Sequence, residues 1–206
     1  MASFGKNDVK LVKVQRKFNG YFNLNKYYFT HALFAGGHSD EVAREVFERG
    51  HAVAVLPYDP IRKELVFIEQ FRYPALETSE SPWLIEIVAG IIEPGEEKED
   101  VCRREAQEEA GIELEQLLPM CSYLPSPGAC TERVDLFLAK VDATTAKGIH
   151  GLDTEAEDIK VLRVGLDEAK AWLKSGKLDN SAVIIALQWL LLNHDDVLSQ
   201  WQLTGK

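Results

Sequence analysis

Three glutamates lie close together on a segment with helical character. Glu105, Glu108 and Glu109 follow an i, i+3, i+4 spacing, which places their carboxylates within an arc of about 100° on one helical face. Each like-charged i, i+4 pair costs roughly a few tenths of a kcal/mol, and the neighbouring Arg104 relieves only part of that repulsion. A hard divalent cation such as Mg²⁺ or Mn²⁺ prefers oxygen ligands and would cancel it. A solvated acidic face is the alternative interpretation, and the spacing of the trio leaves both open.

The net charge of the chain also favours a cation. The 206 residues include 23 Lys and Arg against 33 Asp and Glu, a formal net charge of −10. Such an acidic protein is poorly suited to hold a phosphate backbone by its own charge, so we expect no nucleic-acid partner. If the protein handles phosphates, a divalent cation is the expected source of local positive charge. The hydrophobic content of 46% is ordinary for a globular protein and excludes a wholly disordered chain.

The apolar stretches and the cysteines bear on the compartment. The first residues contain no apolar core of a signal peptide. The longest apolar stretch, residues 182–192, is interrupted by Gln188 and is shorter than the ~20 residues of a membrane span. Cys102, Cys121 and Cys130 lack a CxxC spacing, which disfavours a disulfide framework or a zinc ribbon. We therefore expect a cytoplasmic protein without membrane association.

The elements that would position the glutamates follow from apolar periodicity and turn residues. Helices are predicted over residues 97–110, 167–175 and from 181 to about 193, with Gly111 and Gly176 ending the first two. Strands are predicted over 51–57, 64–72, 83–90 and 133–141, with shorter strands between 9 and 45 and a hairpin turn at Gly36 and Gly37. Several strands with few, scattered helices predict an α+β or layered α/β/α fold.

A longer pattern surrounds the three glutamates. It reads Gly, five residues, Glu, seven residues, then Arg-Glu-apolar-x-Glu-Glu-x-Gly-apolar. Its fixed positions are Gly90, Glu96, Arg104, Glu105, Glu108, Glu109 and Gly111. At average residue frequencies such a match arises at roughly one in 10⁹ starting points. The segment resembles the signature of the Nudix hydrolases, and this resemblance outweighs the interpretation as a solvated face.

The resemblance implies a fold and a metal site. The implied fold is the Nudix α/β/α sandwich with a mixed sheet, acting on nucleoside diphosphates linked to another moiety. Glu96 and Arg104 would brace the loop and helix of the signature. The implied ligands of Mg²⁺ or Mn²⁺ are the carboxylates of Glu105, Glu108 and Glu109 and the backbone carbonyl of Ala89.

Similarity outside the signature bears on the substrate. Pro127 lies sixteen positions after Gly111, and the resemblance to the ADP-ribose pyrophosphatase subgroup extends from about residue 4 to 201. It implies that ADP-ribose is hydrolysed to AMP and ribose 5-phosphate by water attack at the adenosine-side phosphorus. Alternatives are another nucleotide substrate of the same family, such as GDP-mannose or a dinucleotide, and a non-catalytic ADP-ribose sensor or ligand-gated transcription regulator on the same fold. The intact signature disfavours the sensor.

The same resemblance implies residues that touch the substrate. Tyr21 would stack on adenine, with a core or edge-strand aromatic as the alternative. Arg44 and Arg72 would meet phosphate and the terminal ribose or adenine, because the planar guanidinium suits both, with surface ion pairs as the alternative. Glu132 would bind ribose hydroxyls, and Ile91 is a further expected substrate contact.

An acidic loop over residues 153–158 completes the expected site. By resemblance it closes on the substrate, with Glu155 orienting or deprotonating the attacking water and Glu157 serving as a metal or water ligand. Glu157 or a glutamate of the signature, such as Glu105 or Glu109, is the alternative base. A solvated surface loop is the alternative for the whole segment.

The chain is expected to divide into residues 1–47, a small antiparallel β subdomain, and residues 48–206, the Nudix domain. The first part is too short to bury a core alone. The resemblance implies that it pairs with, or is exchanged between, subunits of a homodimer, with Tyr21 and Arg44 delivered across the interface.

Overall fold

The computed structural model describes residues 4–203, so the ends of both predicted domains, residues 1–3 and 204–206, lie outside the described part. The chain forms two compact units. The first comprises Met1–His51 with Leu124–Arg133, and the second comprises Ala52–Tyr123 with Val134–Lys206. The predicted domain boundary at residue 47 and the role of the first domain in dimerisation stay predictions.

The first unit contains a three-stranded antiparallel sheet. Its strands, in the order β1-β2-β3, are β1 (Val9–Asn19), β2 (Asn23–His31) and β3 (Val42–Glu48). The predicted turn at Gly36 and Gly37 is confirmed, since both residues have positive φ angles of 91° and 77°. Residues 124–133 join this unit because Phe47 exchanges backbone hydrogen bonds with Ala129 at 2.7 Å and Thr131 at 3.1 Å.

The second unit is built on an eight-stranded mixed sheet. Its strands are β4 (Ala52–Asp59), β5 (Glu64–Phe71), β6 (Trp83–Glu86), β7 (Val88–Ile91), β8 (Gln116–Tyr123), β9 (Val134–Lys140), β10 (Ile149–His150) and β11 (Ile159–Gly165). Strands β4 and β9 pair in parallel, whereas the other pairs are antiparallel. The order is β10-β11-β5-β4-β9-β8, with β6 paired to β5 and β7 paired to β4.

Helices cover both faces of this sheet, which confirms the predicted α/β/α layering. Alternate residues of β4 enter two apolar clusters: Leu56 packs with the cluster of the last three helices, and Val55 with the cluster of the first. The helices are α1 (Lys98–Ala110), α2 (Leu166–Ser175), α3 (Ser181–Leu192) and α4 (His194–Gln200). None of the helices within residues 4–203 has the length and apolar character needed to cross a bilayer.

The predicted strand over residues 83–90 is wrong as a single element. It is two strands, because β6 pairs with β5 while β7 pairs with β4. Ile87 lies at the break between them and is 1% exposed. The apolar run is continuous because the interior is continuous, although the hydrogen-bonding partner changes.

Glycines end α1 and α2 as predicted, but in different surroundings. Gly111 has a φ of 62° and Gly176 a φ of 78°, the left-handed conformation that side chains with a Cβ adopt at a cost of about 1–2 kcal/mol. A Cβ on Gly111 would also collide with the His150 ring, whereas a Cβ on Gly176 would meet no atom within 4 Å.

We therefore expect Gly111→Ala to lower the free energy of unfolding by about 3 kcal/mol and Gly176→Ala by about 1 kcal/mol. The difference reflects displacement of His150, and urea denaturation of the two variants measures it. Equal losses would contradict the packing of His150 against Gly111.

Candidate active site

Strand β7 and helix α1 bring the main carboxylates together. Glu109 is only 4% exposed, and its Oε2 accepts a hydrogen bond from the backbone N–H of Ala89 at 3.0 Å. The Glu105 carboxylate lies directly against the Cα of Gly90, where any Cβ would overlap it. The glycine of the signature therefore provides the space that Glu105 occupies. Cys102, Ala106 and Ala110 form the adjoining stripe of α1, are completely buried and fix the helix to the sheet.

Arg104 connects the carboxylates of α1. Its Nη1 donates to Glu105 at 2.8 Å and to Glu108 at 3.2 Å, and its Nη2 lies 3.5 Å from Glu96. Glu96 in turn accepts the backbone N–H of Glu93 at 2.8 Å. Arg104 thus links the turn before the helix to two of the expected metal ligands.

Burial dominates the electrostatics of the cluster. It raises the pKa of Glu109 to about 8 and that of Glu105 to about 7. The charge of Glu157 contributes to both raised pKa values, whereas Arg104 lowers that of Glu105 and the Ala89 N–H lowers that of Glu109. Carboxylates that gain protons near neutral pH lack sufficient positive charge around them.

The backbone just before the acidic loop contacts α1. The N–H of Gly151 donates to the carbonyl of Glu108 at 3.1 Å, and Glu157 Oε2 accepts the N–H of Leu152 at 3.1 Å. Glu155 ends a short 3₁₀ turn, Asp153–Glu155, and is exposed. No other side chain within residues 4–203 forms a hydrogen bond or ion pair with the Glu155 carboxylate. Of the two loop glutamates, Glu157 interacts with the cluster.

Arg72, just after β5, is a second cation near the cluster. Its Nη2 lies 2.8 Å from Glu86 Oε2, and the charges of Glu109 and Glu157 also act on it. Ile91 ends β7, pairs with Ala52 and is partly buried. The sequence pattern does not single out Glu86, because its contact with Arg72 depends on the pairing of β5 with β6.

The remaining expected substrate contacts belong to the first unit. Tyr21 is 85% exposed, which argues against a core aromatic, and its ring packs on Phe22 at 4.6 Å. Arg44 lies on β3, and its Nη1 donates to the carbonyl of Ala43 at 2.8 Å. Glu132 is 8% exposed, and its Oε1 lies 3.4 Å from Nε of Arg49. The sequence pattern does not single out Arg49, because its partner Glu132 is distant in the chain.

The donor set fits a hard divalent cation, since it offers the buried carboxylate of Glu109 beside those of Glu105 and Glu108, whose charge Arg104 compensates only in part. Within residues 4–203, no three His, Cys, Asp or Glu side chains already form a metal-binding group. The Arg104 bonds to Glu105 and Glu108 explain part of this, because a cation would compete with the guanidinium for those oxygens.

The chain is similar to known proteins over most of its length. The NUDIX domain family model matches residues 48–186. The chain is 52% identical over 199 residues to an ADP-ribose pyrophosphatase of Escherichia coli K12, covering 97% of this chain and 95% of that protein. It is 44% identical to an ADP-ribose pyrophosphatase of Haemophilus influenzae, covering 97% and 93%.

More distant matches were also found. A GDP-mannose pyrophosphatase of Escherichia coli O1:K1 is 32% identical, with 73% of this chain and 78% of that protein covered. A crystal structure of an ADP compounds hydrolase superimposes with a TM-score of 0.71 at 16% identity, covering 98% of this chain and all of the other. At that identity the superposition bears on the fold alone.

Proposed function

The chain belongs to the Nudix family, and from that membership we propose that it hydrolyses the diphosphate of ADP-ribose to AMP and ribose 5-phosphate with Mg²⁺ as its cation. As a Nudix pyrophosphohydrolase it is an enzyme. The observation that carries the substrate is the 52% identity, over 97% of the chain, to a relative named for ADP-ribose. The GDP-mannose relative matches less of the chain and at lower identity.

The acidic cluster is the proposed metal site. Glu105, Glu108, Glu109 and Glu157 would supply carboxylate oxygens, and Ala89 its carbonyl. When bound, the cation would neutralise the diphosphate and lower the pKa of the attacking water. The carboxylates would contribute poorly solvated negative charge at the place where the cation binds.

Other side chains are proposed to bind and orient the substrate. Glu155 is proposed as the base because its carboxylate is exposed and free to turn toward a water molecule. Tyr21 is exposed enough to stack on adenine. Arg44 and Arg72 are proposed to bind the anionic part of the substrate, while Glu132 and Ile91 contact the sugar and nucleotide.

We expect metal binding to release protons. The pKa of Glu109 is raised to about 8 and that of Glu105 to about 7, so both are partly protonated at pH 7, and a cation binds only their charged forms. Affinity for Mg²⁺ should therefore strengthen as the pH rises from 6 to 8. Calorimetry in two buffers of different ionisation enthalpy measures the release, which we expect to be about one proton at pH 7. Heats that do not depend on the buffer would contradict this assignment.

A substrate panel tests the function. ADP-ribose, GDP-mannose and a dinucleotide polyphosphate are incubated with enzyme and Mg²⁺, and the nucleoside monophosphate is quantified. We expect ADP-ribose to have the largest kcat/KM, and ¹⁸O from labelled water to enter AMP. Preference for GDP-mannose would favour the other family substrate. Tight ADP-ribose binding without product would favour a sensor.

The proposed assembly is a homodimer without nucleic-acid or membrane partners, in the cytoplasm. Its three cysteines are unpaired, which suits a reducing compartment. Light scattering of the eluted protein measures its mass, and a monomer at micromolar concentration would contradict the dimer.

A further inference from the structure

Arg72 is held by a carboxylate outside the metal cluster. Its Nε donates to Glu86 Oε1 at 3.1 Å, and its Nη2 donates to Glu86 Oε2 at 2.8 Å. Such a two-point pair fixes the direction of the guanidinium as well as its distance. In the described part of the chain Nη1 has no hydrogen-bond partner, and the Arg72 side chain is 46% exposed.

Glu86 is itself anchored. Its side chain is 14% exposed, and Gln70, which is 5% exposed, donates from Nε2 to Glu86 Oε2 at 3.2 Å. The pairing of β5 with β6 sets Ile68 opposite Glu86, so Gln70 is a diagonal neighbour on the same face. The backbone N–H of Arg72 donates to the carbonyl of Pro82 at 2.7 Å. Both members of the pair are therefore fixed by the sheet and its following loop.

Competing charges act on the same guanidinium. Burial lowers the pKa of Arg72, but the hydrogen bonds and charge of Glu86, together with the charges of Glu109 and Glu157, outweigh burial and raise it. Without Glu86, the remaining counter-charges would be Glu109 and Glu157. An ion pair with either would engage an oxygen proposed to bind the cation.

We propose that Glu86 is a positioning residue that holds Arg72 so that its free Nη1 edge faces a phosphate of the substrate and its guanidinium stays away from Glu109 and Glu157. This inference rests on the proposed function, which supplies the phosphate. Glu86 then affects both substrate binding and the metal requirement, although it contacts neither the substrate nor the cation.

A double-mutant cycle tests this role. Glu86→Gln keeps the size of the side chain but cannot accept two charged N–H bonds. We expect the KM for ADP-ribose to rise about tenfold, with a smaller change in kcat at saturating Mg²⁺. The Mg²⁺ concentration for half-maximal rate should rise about threefold. Arg72→Met should also raise KM, and adding Glu86→Gln to it should change little, because Glu86 acts through Arg72.

Glu69→Gln is the matched control. Glu69 lies on the same strand pair but pairs with Lys160 at 2.9 Å, so its replacement should leave KM unchanged. A wild-type KM for Glu86→Gln, or additive effects of Glu86→Gln and Arg72→Met, would overturn the proposal.

A measurement without substrate separates this inference from the proposed function. The NMR signal of Arg72 Nε–H should exchange slowly with solvent in the wild-type protein and faster after Glu86→Gln. Unchanged exchange would overturn the proposal.

If Glu86→Gln does not fold, Glu86→Asp, which keeps the charge but shortens the reach, replaces it with the same expected results. If the wild-type enzyme prefers another nucleotide sugar, the proposed substrate is wrong, and the same cycle on that compound still decides the role of Glu86.

Discussion

Replacing Glu109 with glutamine is expected to lower kcat at least about a thousandfold while making the metal-free protein more stable at pH 8. Glutamine keeps the shape of the side chain and can still accept the Ala89 N–H, which Glu109 binds at 3.0 Å. What it removes is a buried negative charge. The catalytic loss and the gain in stability therefore have the same cause.

The gain in stability has a defined pH dependence. Burial raises the pKa of Glu109 to about 8 in the folded protein, whereas an unfolded glutamate titrates near about 4.3. Between these values the folded state binds a proton that the unfolded state does not. The stability of the wild-type protein therefore falls as the pH rises through this window, by up to about 1.4 kcal/mol per pH unit. Glu109→Gln lacks this slope, so its advantage grows from pH 5 to 8.

Turnover assays with Mg²⁺ and urea denaturation in EDTA at pH 5.5, 7 and 8.5 measure both effects. Glu115→Gln is the control, because Glu115 is half exposed and pairs with Lys140 at 2.9 Å. It should change neither quantity. Near-full activity of Glu109→Gln would show that the metal assignment is wrong, and a stability difference independent of pH would contradict the buried charge.

Helix boundaries were predictable because their determinants are local. The helix predicted over 97–110 is Lys98–Ala110, ended by the left-handed Gly111. The third helix begins at Ser181 because the Asn180 side chain accepts the N–H of Val183. Capping groups act within a few residues, so the sequence pattern contains them.

Strands were less predictable because their partners are distant. Strand β8 was missed: it contains Pro119, which interrupts the pattern, and the register shifts between Pro119 and Cys121. Since β8 ends the sheet order, it tolerates proline as edge strands do. Strand β11 was missed although Ile159, Val161 and Val164 are buried. The short α4, with seven residues, lacked a periodic signal.

The same contrast between local and distant determinants applies to the candidate site. Helical spacing alone predicted that Glu105 and Glu109 share a face, and the structure brings both against β7 through Gly90 and Ala89. The anchoring of Arg72 by Glu86 required the register of two strands. The raised pKa values of Glu105 and Glu109 result from burial, and the spacing of residues along the sequence does not show burial.

The two loop glutamates are proposed to have different roles, Glu155 in proton transfer and Glu157 in metal binding. We expect Glu155→Gln to lower kcat by about 10²–10⁴-fold with the Mg²⁺ requirement unchanged, because the exposed Glu155 has no bond to the cluster within residues 4–203. Glu157→Gln should instead weaken Mg²⁺ binding, since its charge acts on Glu105 and Glu109. High Mg²⁺ should therefore restore much of the rate of Glu157→Gln and none of that of Glu155→Gln.

Turnover rates of Glu155→Gln and Glu157→Gln, measured at several Mg²⁺ concentrations and pH values, distinguish a base from a metal ligand. Glu157→Gln should also lower the pKa values of Glu105 and Glu109, because it removes a neighbouring negative charge. Its proton release on metal binding at pH 7 should fall accordingly, a change that Glu155→Gln does not produce. If Glu155→Gln retains the wild-type kcat at saturating Mg²⁺, the base is another residue. Glu157 or a glutamate of α1 would then be the base, because these carboxylates form the cluster beside which the diphosphate is proposed to bind.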